Sequence, residues 1–161
     1  VPEPIDSRFG PVGSLNDLGF LFEVRIGLEC AAAALAAERR LPAAIVKARR
    51  ALAQMEKSEG NDTMFRDGEL EFHFAVAAAS QNPQFERCLR SFKQQLEVSV
   101  SLVRTLSLTH PKERVRVVYE EHLAILQAIE SGDVEGARQA THTHLTNACY
   151  RLFQGPGNAG S

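Results

Sequence analysis

Apolar residues recur along this chain at intervals of three and four, in runs separated by Pro, Gly and Asn. That is the period of a helix turning one face inward. Leu18, Leu21, Arg25, Leu28, Ala32 and Leu35 trace the first stripe, between about Asn16 and Arg39, with a single charge in it. "RRLP" ends that helix, because Pro42 has no N–H to donate and restricts the residue before it. Pro42 itself suits the first turn of a second helix, reaching about Ser58. Asn61 or Asp62 caps a third, to about Ser80. "SQNP" stops it, and Asn82 and Pro83 start a fourth, with Phe85, Leu89, Phe92, Leu96, Val100 and Val103 in line. After "LTHPKE" a fifth runs from Pro111 to Glu130, carrying Val115, Val118, His122, Ile125 and Ile129 on one face. "SGD" closes it, and Asp133 starts a sixth, to about Phe153. No strand pattern interrupts the series. Short connections between long helices predict an all-α, antiparallel six-helix bundle over residues 16–154. Residues 1–15 read as a linker and 155–161 as a frayed tail.

Composition narrows the function classes. With 18 Lys and Arg against 20 Asp and Glu, the net charge of −2 gives no overall footprint for nucleic acid or an anionic membrane. No apolar run is long enough to span a bilayer. The opening "VPEPIDSRFGPVGS" has neither the basic nor the apolar segment of a signal peptide, and starting on Val it reads as a fragment of a longer protein. Cys30, Cys88 and Cys149 are odd in number and lack C-x-x-C spacing, which predicts a reducing cytoplasm and buried structural thiols.

The polar residues on inward faces carry the candidate chemistry. His122 falls in an aliphatic stripe, and His144 shares a small-residue face with Ala137, Ala140, Thr141 and Ala148. His73 lies one turn after Glu69 in "GELEFHFAVAAAS", so the two side chains can converge. His142 is turned roughly 200° from His144 and is expected outside, and His110 is placed in a loop. Three inward imidazoles from three helices and one carboxylate form a normal ligand set for zinc or another borderline divalent metal. The competing reading is three packed histidines, each satisfied by one hydrogen bond. Neither H-E-x-x-H nor the paired Glu-x-x-His of di-iron bundles is present. Arg25 has two readings as well: an ion pair with Glu29 at i+4, or a fork accepting the carboxylate of a ligand.

The stretches "EVRIGLECAAAALAA", "ELEFHFAVAAASQNP" and "EEHLAILQAIESGDVEGARQATHTHL" stand in an order that resembles the effector-binding (FCD) domain of GntR-type transcription regulators of the FadR group. The likeness covers about residues 16–153. It implies an antiparallel helical bundle around a ligand cavity that in many members holds a divalent metal. Carried over residue by residue, the metal ligands become His73, His122 and His144, with Glu69 where the family favours Asp, and Arg25 faces the cavity. Glu is one methylene longer than Asp, so Glu69 can ligate with an adjusted rotamer, bind through water, or leave its position open. Asp67, six residues before His73, points elsewhere. Six helices look closer to the VanR-type branch than seven.

The resemblance also implies a partner set: a small organic acid as effector, a second copy of the chain, and DNA reached only through an N-terminal winged helix-turn-helix. No recognition-helix pattern precedes residue 16, so that domain is expected to be absent from this chain. The expected role is therefore ligand sensing in the cytoplasm, not catalysis. The alternatives are a metal-dependent hydrolase or lyase, for which no base is placed, and a plain dimerisation module.

Overall fold

The computed structural model describes residues 12–58, 60–106 and 111–153. They form seven helices: α1 (Leu15–Arg39), α2 (Pro42–Glu56), α3 (Asp62–Ala79), α4 (Pro83–Ser91), α5 (Lys93–Leu106), α6 (Pro111–Ser131) and α7 (Val134–Phe153). No strand occurs among the described residues. The expected linker and tail lie mostly or wholly outside the described residues, as does His110.

Local chemistry sets most boundaries. Ser14 opens α1 through a reciprocal capping box with Asp17: the Asp17 N–H donates to Ser14 Oγ and the Ser14 N–H to Asp17 Oδ2. Proline occupies the first turn of α2 and of α4. Asn61 accepts from the Met64 N–H, and Asn82 from the Gln84 N–H. Gly132 takes a positive φ of 74°, which lets the chain reverse between α6 and α7.

One expectation is corrected here. The fourth predicted helix is two, α4 and α5, so the described residues form seven helices and not six. At Phe92 the backbone leaves helical geometry (φ −97°, ψ 11°), and its N–H donates to the Leu89 carbonyl, three residues back. The apolar stripe passes through the break, because Leu89 and Leu96 are both fully buried.

Two apolar clusters hold the bundle. One gathers Ala33, Ala36, Leu52, Met55, Phe72 and Ile125 from α1, α2, α3 and α6. The other gathers Leu18, Phe22, Phe74, Leu96, Leu145 and Leu152 from α1, α3, α5 and α7. Helices α2 and α3 touch at Gly68, where an added Cβ would stand 2.9 Å from Met55 Cγ and 3.0 Å from the Ala51 carbonyl oxygen. The thiols divide: Cys30 is buried, Cys149 is partly covered and Cys88 is exposed, so the expectation of three buried thiols fails at Cys88, on the outer side of α4.

Candidate metal centre

Three helices deliver four polar side chains to one buried point. Helix α3 brings Glu69 and His73, α6 brings His122 and α7 brings His144; all four are buried, His122 completely. One ligand atom from each lies within 4.8 Å of all the others, and the group could hold a metal ion. Glu69 reaches the cluster despite its extra methylene. Asp67 is exposed, as its place on the helix predicts, and so is His142. The ring centroids of His122 and His144 are 4.2 Å apart, and His73 stands 5.2 Å from each. Phe72 lies edge-on against His122 and closes that side with apolar surface.

Each imidazole is oriented through Nδ1. His73 Nδ1 lies 2.5 Å from Glu29 Oε2. His122 Nδ1 lies 2.7 Å from the Val118 carbonyl oxygen, and His144 Nδ1 lies 2.8 Å from Glu121 Oε2. Carboxylates and carbonyls only accept, so each Nδ1 carries a proton and each ring turns its Nε2 toward the cluster. His73 Nε2 and His122 Nε2 face each other at 3.3 Å, and His144 Nε2 is buried with no hydrogen-bond partner. Protonated at Nδ1 alone, the three rings would offer lone pairs that a shared cation satisfies together. Two nitrogens at about 2.0–2.1 Å on a tetrahedral zinc stand about 3.3 Å apart, the separation seen here. The residues fit the ion.

A model of the FCD domain matches residues 20–147. This chain is an FCD domain of the GntR-family regulators. It is 34% identical over 132 residues to the HTH-type transcriptional regulator LutR of Bacillus subtilis (strain 168), covering 82% of this chain and 60% of that protein. It thus spans less than two thirds of that relative's length. Its fold is similar to those of Streptococcus agalactiae GntR (TM-score 0.71, 21% identity) and E. coli McbR/YncC (TM-score 0.74, 20% identity). Each match covers 89% of this chain, with 63% and 71% of the respective neighbours.

In this FCD domain Arg25 satisfies the ion-pair reading: its Nε donates to Glu29 Oε1 at 2.6 Å, both side chains being buried. Glu29 then joins Arg25 to His73, forming a continuous relay from α1 to the cluster. Arg25 also borders the small void beside Glu69, together with Phe22, Phe65, Arg104, Arg114 and Arg151. That void has a volume of about 20 Å³, room for one water, so among the described residues the ligand cavity implied by the resemblance is nearly closed here. Any larger ligand requires the wall to move.

Two residues of the centre escaped sequence reasoning. Glu29 was visible only as the partner of Arg25. Glu121 lies beside the inward stripe of α6 rather than in it, yet it accepts from His144, from Asn147 Nδ2 at 2.8 Å, and from both terminal nitrogens of Arg151, at 2.9 and 3.0 Å. The spacing of His144, Asn147 and Arg151 along one face of α7 is the only sequence signal for it.

Burial and pairing set the protonation of this FCD domain. Burial pushes Glu29 upward, but Arg25 and His73 outweigh it and hold the carboxyl far below its ordinary range. Burial likewise opposes Glu121, which the hydrogen bonds from His144 and Arg151 bring down to about 2. Burial lowers His122 well below 6.5, helped by the neighbouring His144 and His73. It also lowers His144, against the pull of Glu121. Below about pH 6.5 the unfolded imidazoles take up protons that His122 and His144 refuse in the folded state, so the unfolded state binds more protons and stability falls with pH. Glu29 and Glu121 add a second loss as the pH drops below 4.5, because their folded values are depressed. The melting temperature of metal-free protein is therefore expected to be level from pH 8 to 7 and to decline below 6.5. A melting temperature that rises between pH 6.5 and 5 would contradict it.

Proposed function

We propose that this FCD domain senses a small carboxylate through a divalent metal held by His73, His122, His144 and Glu69. The observation that carries this is the buried set of three Nδ1-anchored imidazoles clustered with the Glu69 carboxylate, one ligand atom of each within 4.8 Å of the others. Mixed nitrogen and oxygen donors favour zinc, with nickel or another transition metal as the alternatives. When bound, the metal supplies a positive centre with coordination positions open to an acid. Arg25, Arg104, Arg114 and Arg151 border the void on the Glu69 side of the centre and supply hydrogen-bond donors there.

Sensing fits the centre better than catalysis. A hydrolase needs a free base beside the metal-bound water, but Glu29 and Glu121 are each committed to an arginine and a histidine. In this reading a winged helix-turn-helix on the N-terminal side contacts DNA, and the effector acts by binding two arrangements of the regulator unequally. A second copy of the chain is the assembly partner. Exposed Phe20 and Val24 on α1 and Tyr150 and Phe153 on α7 supply apolar surface for it. No helix among the described residues is long and apolar enough to cross a membrane.

Calorimetric titration of small carboxylates into zinc-loaded and zinc-free protein tests the proposal. Binding to the loaded form alone is expected. By linkage, the acid should then raise zinc affinity by the same factor as zinc raises affinity for the acid. An acid that binds equally with and without metal would overturn the metal-dependent reading.

A further inference from the structure

The wall of the void beside Glu69 is built from four arginines, three of which are already neutralised. Arg25 pairs with Glu29, and Arg151 with Glu121. Arg104 pairs with Asp62 and lies over the Phe65 ring. Arg114, near the start of α6, is different. It is half-buried, donates to the Val103 carbonyl at 2.9 Å, and has no carboxylate in ion-pair range among the described residues. Burial and the nearby charges of Arg104 and Arg151 outweigh the pull of the Glu69 and Asp62 carboxylates and bring its guanidinium down to about 10. Arg104 Nε and Arg151 Nε are also buried without a hydrogen-bond partner. The wall therefore holds uncompensated donors and one unneutralised cation.

Charge balance across the void has a definite outcome. A divalent ion with the single carboxylate of Glu69 keeps one positive charge, since the three imidazoles are neutral. The three arginine–carboxylate pairs sum to zero, and Arg114 adds a second positive charge. Resting on the effector reading above, we propose that the effector is a small dicarboxylate, with one carboxylate toward the metal and the other taken by Arg114. A planar carboxylate suits the guanidinium fork, and two negative charges neutralise the site. A monocarboxylate leaves Arg114 as it stands now, a cation crowded by two others.

Affinities of L-malate and L-lactate for the zinc-loaded protein test this, because both are 2-hydroxy acids and only malate carries the second carboxylate. Wild type is expected to bind malate about tenfold or more tightly than lactate. Arg114→Gln should bring that ratio to within about threefold, and Arg114→Lys should restore part of it. Zinc content measured on each variant shows that the centre is intact. Equal wild-type affinities, or a ratio unmoved in Arg114→Gln, would overturn the dicarboxylate assignment and leave carboxylate sensing standing. If neither acid bound the zinc-loaded protein, the sensing reading and this assignment would fail together.

Discussion

His122→Ala is expected to abolish stabilisation of the protein by zinc. His122 comes from the middle of α6, is completely buried, and faces His73 Nε2 at 3.3 Å. Its removal takes one of three nitrogen donors from the cluster, and Phe72 packs edge-on against the ring that is lost. A ligand that binds only the folded state stabilises it by about 2.7 kcal/mol at a hundred times its Kd. For a chain of this size that raises Tm by about 5–10 °C. Wild type should show a rise of that order on adding zinc, and His122→Ala almost none. The metal-free variant is expected to lose stability from the space it opens in the α3–α6–α7 contact, so the comparison is between the zinc-dependent increments and not the absolute values. Equal increments in the two proteins would mean that His122 does not hold the ion.

Glu29→Gln is expected to have the second large effect, on folding and on metal affinity together. Among the described residues Glu29 is the sole carboxylate paired with Arg25, whose side chain is 3% exposed. Removing one member of such a buried pair leaves an uncompensated charge and costs about 3–5 kcal/mol. The same carboxylate orients His73 through Nδ1, and loss of a group that orients a metal-bound histidine typically lowers affinity about 10–100-fold. The two effects separate in the double variant Arg25→Met with Glu29→Met. Apolar side chains of similar length should recover much of the stability in chelator, since the buried charge is gone, while zinc affinity stays low because His73 remains unanchored. Wild-type stability of Glu29→Gln in chelator would show that Arg25 does not depend on this partner.

These predictions draw on different amounts of sequence information. The helix ends at Pro42, Asn61, Asn82–Pro83 and Gly132–Asp133 are locally encoded, since each uses a residue whose backbone or cap chemistry stops or starts a helix. The break at Phe92 carries no such residue, so periodicity runs through it unmarked. His73, His122 and His144 were legible because an imidazole in an apolar stripe points inward wherever the stripe does. Glu121 was not, because its anchor, Arg151, lies 30 residues away on another helix. Glu29 was readable as the partner of Arg25, but its second bond, to His73, crosses from α1 to α3 and follows only from the packing. The reach of Glu69 depended on its rotamer, and the isolation of Arg114 depends on where every carboxylate in the neighbourhood ends up. Both belong to tertiary structure.

The central claim is that three Nδ1-anchored histidines and Glu69 form one metal site. Zinc stoichiometry measures it most directly, by elemental analysis of protein purified without nickel resin or chelator, dialysed against a limited excess of zinc and then desalted. One zinc per chain in wild type, and less than a tenth of that in His122→Ala and in His144→Ala, is the predicted result. Wild-type protein that retains no zinc, or variants that retain as much as wild type, would contradict the account.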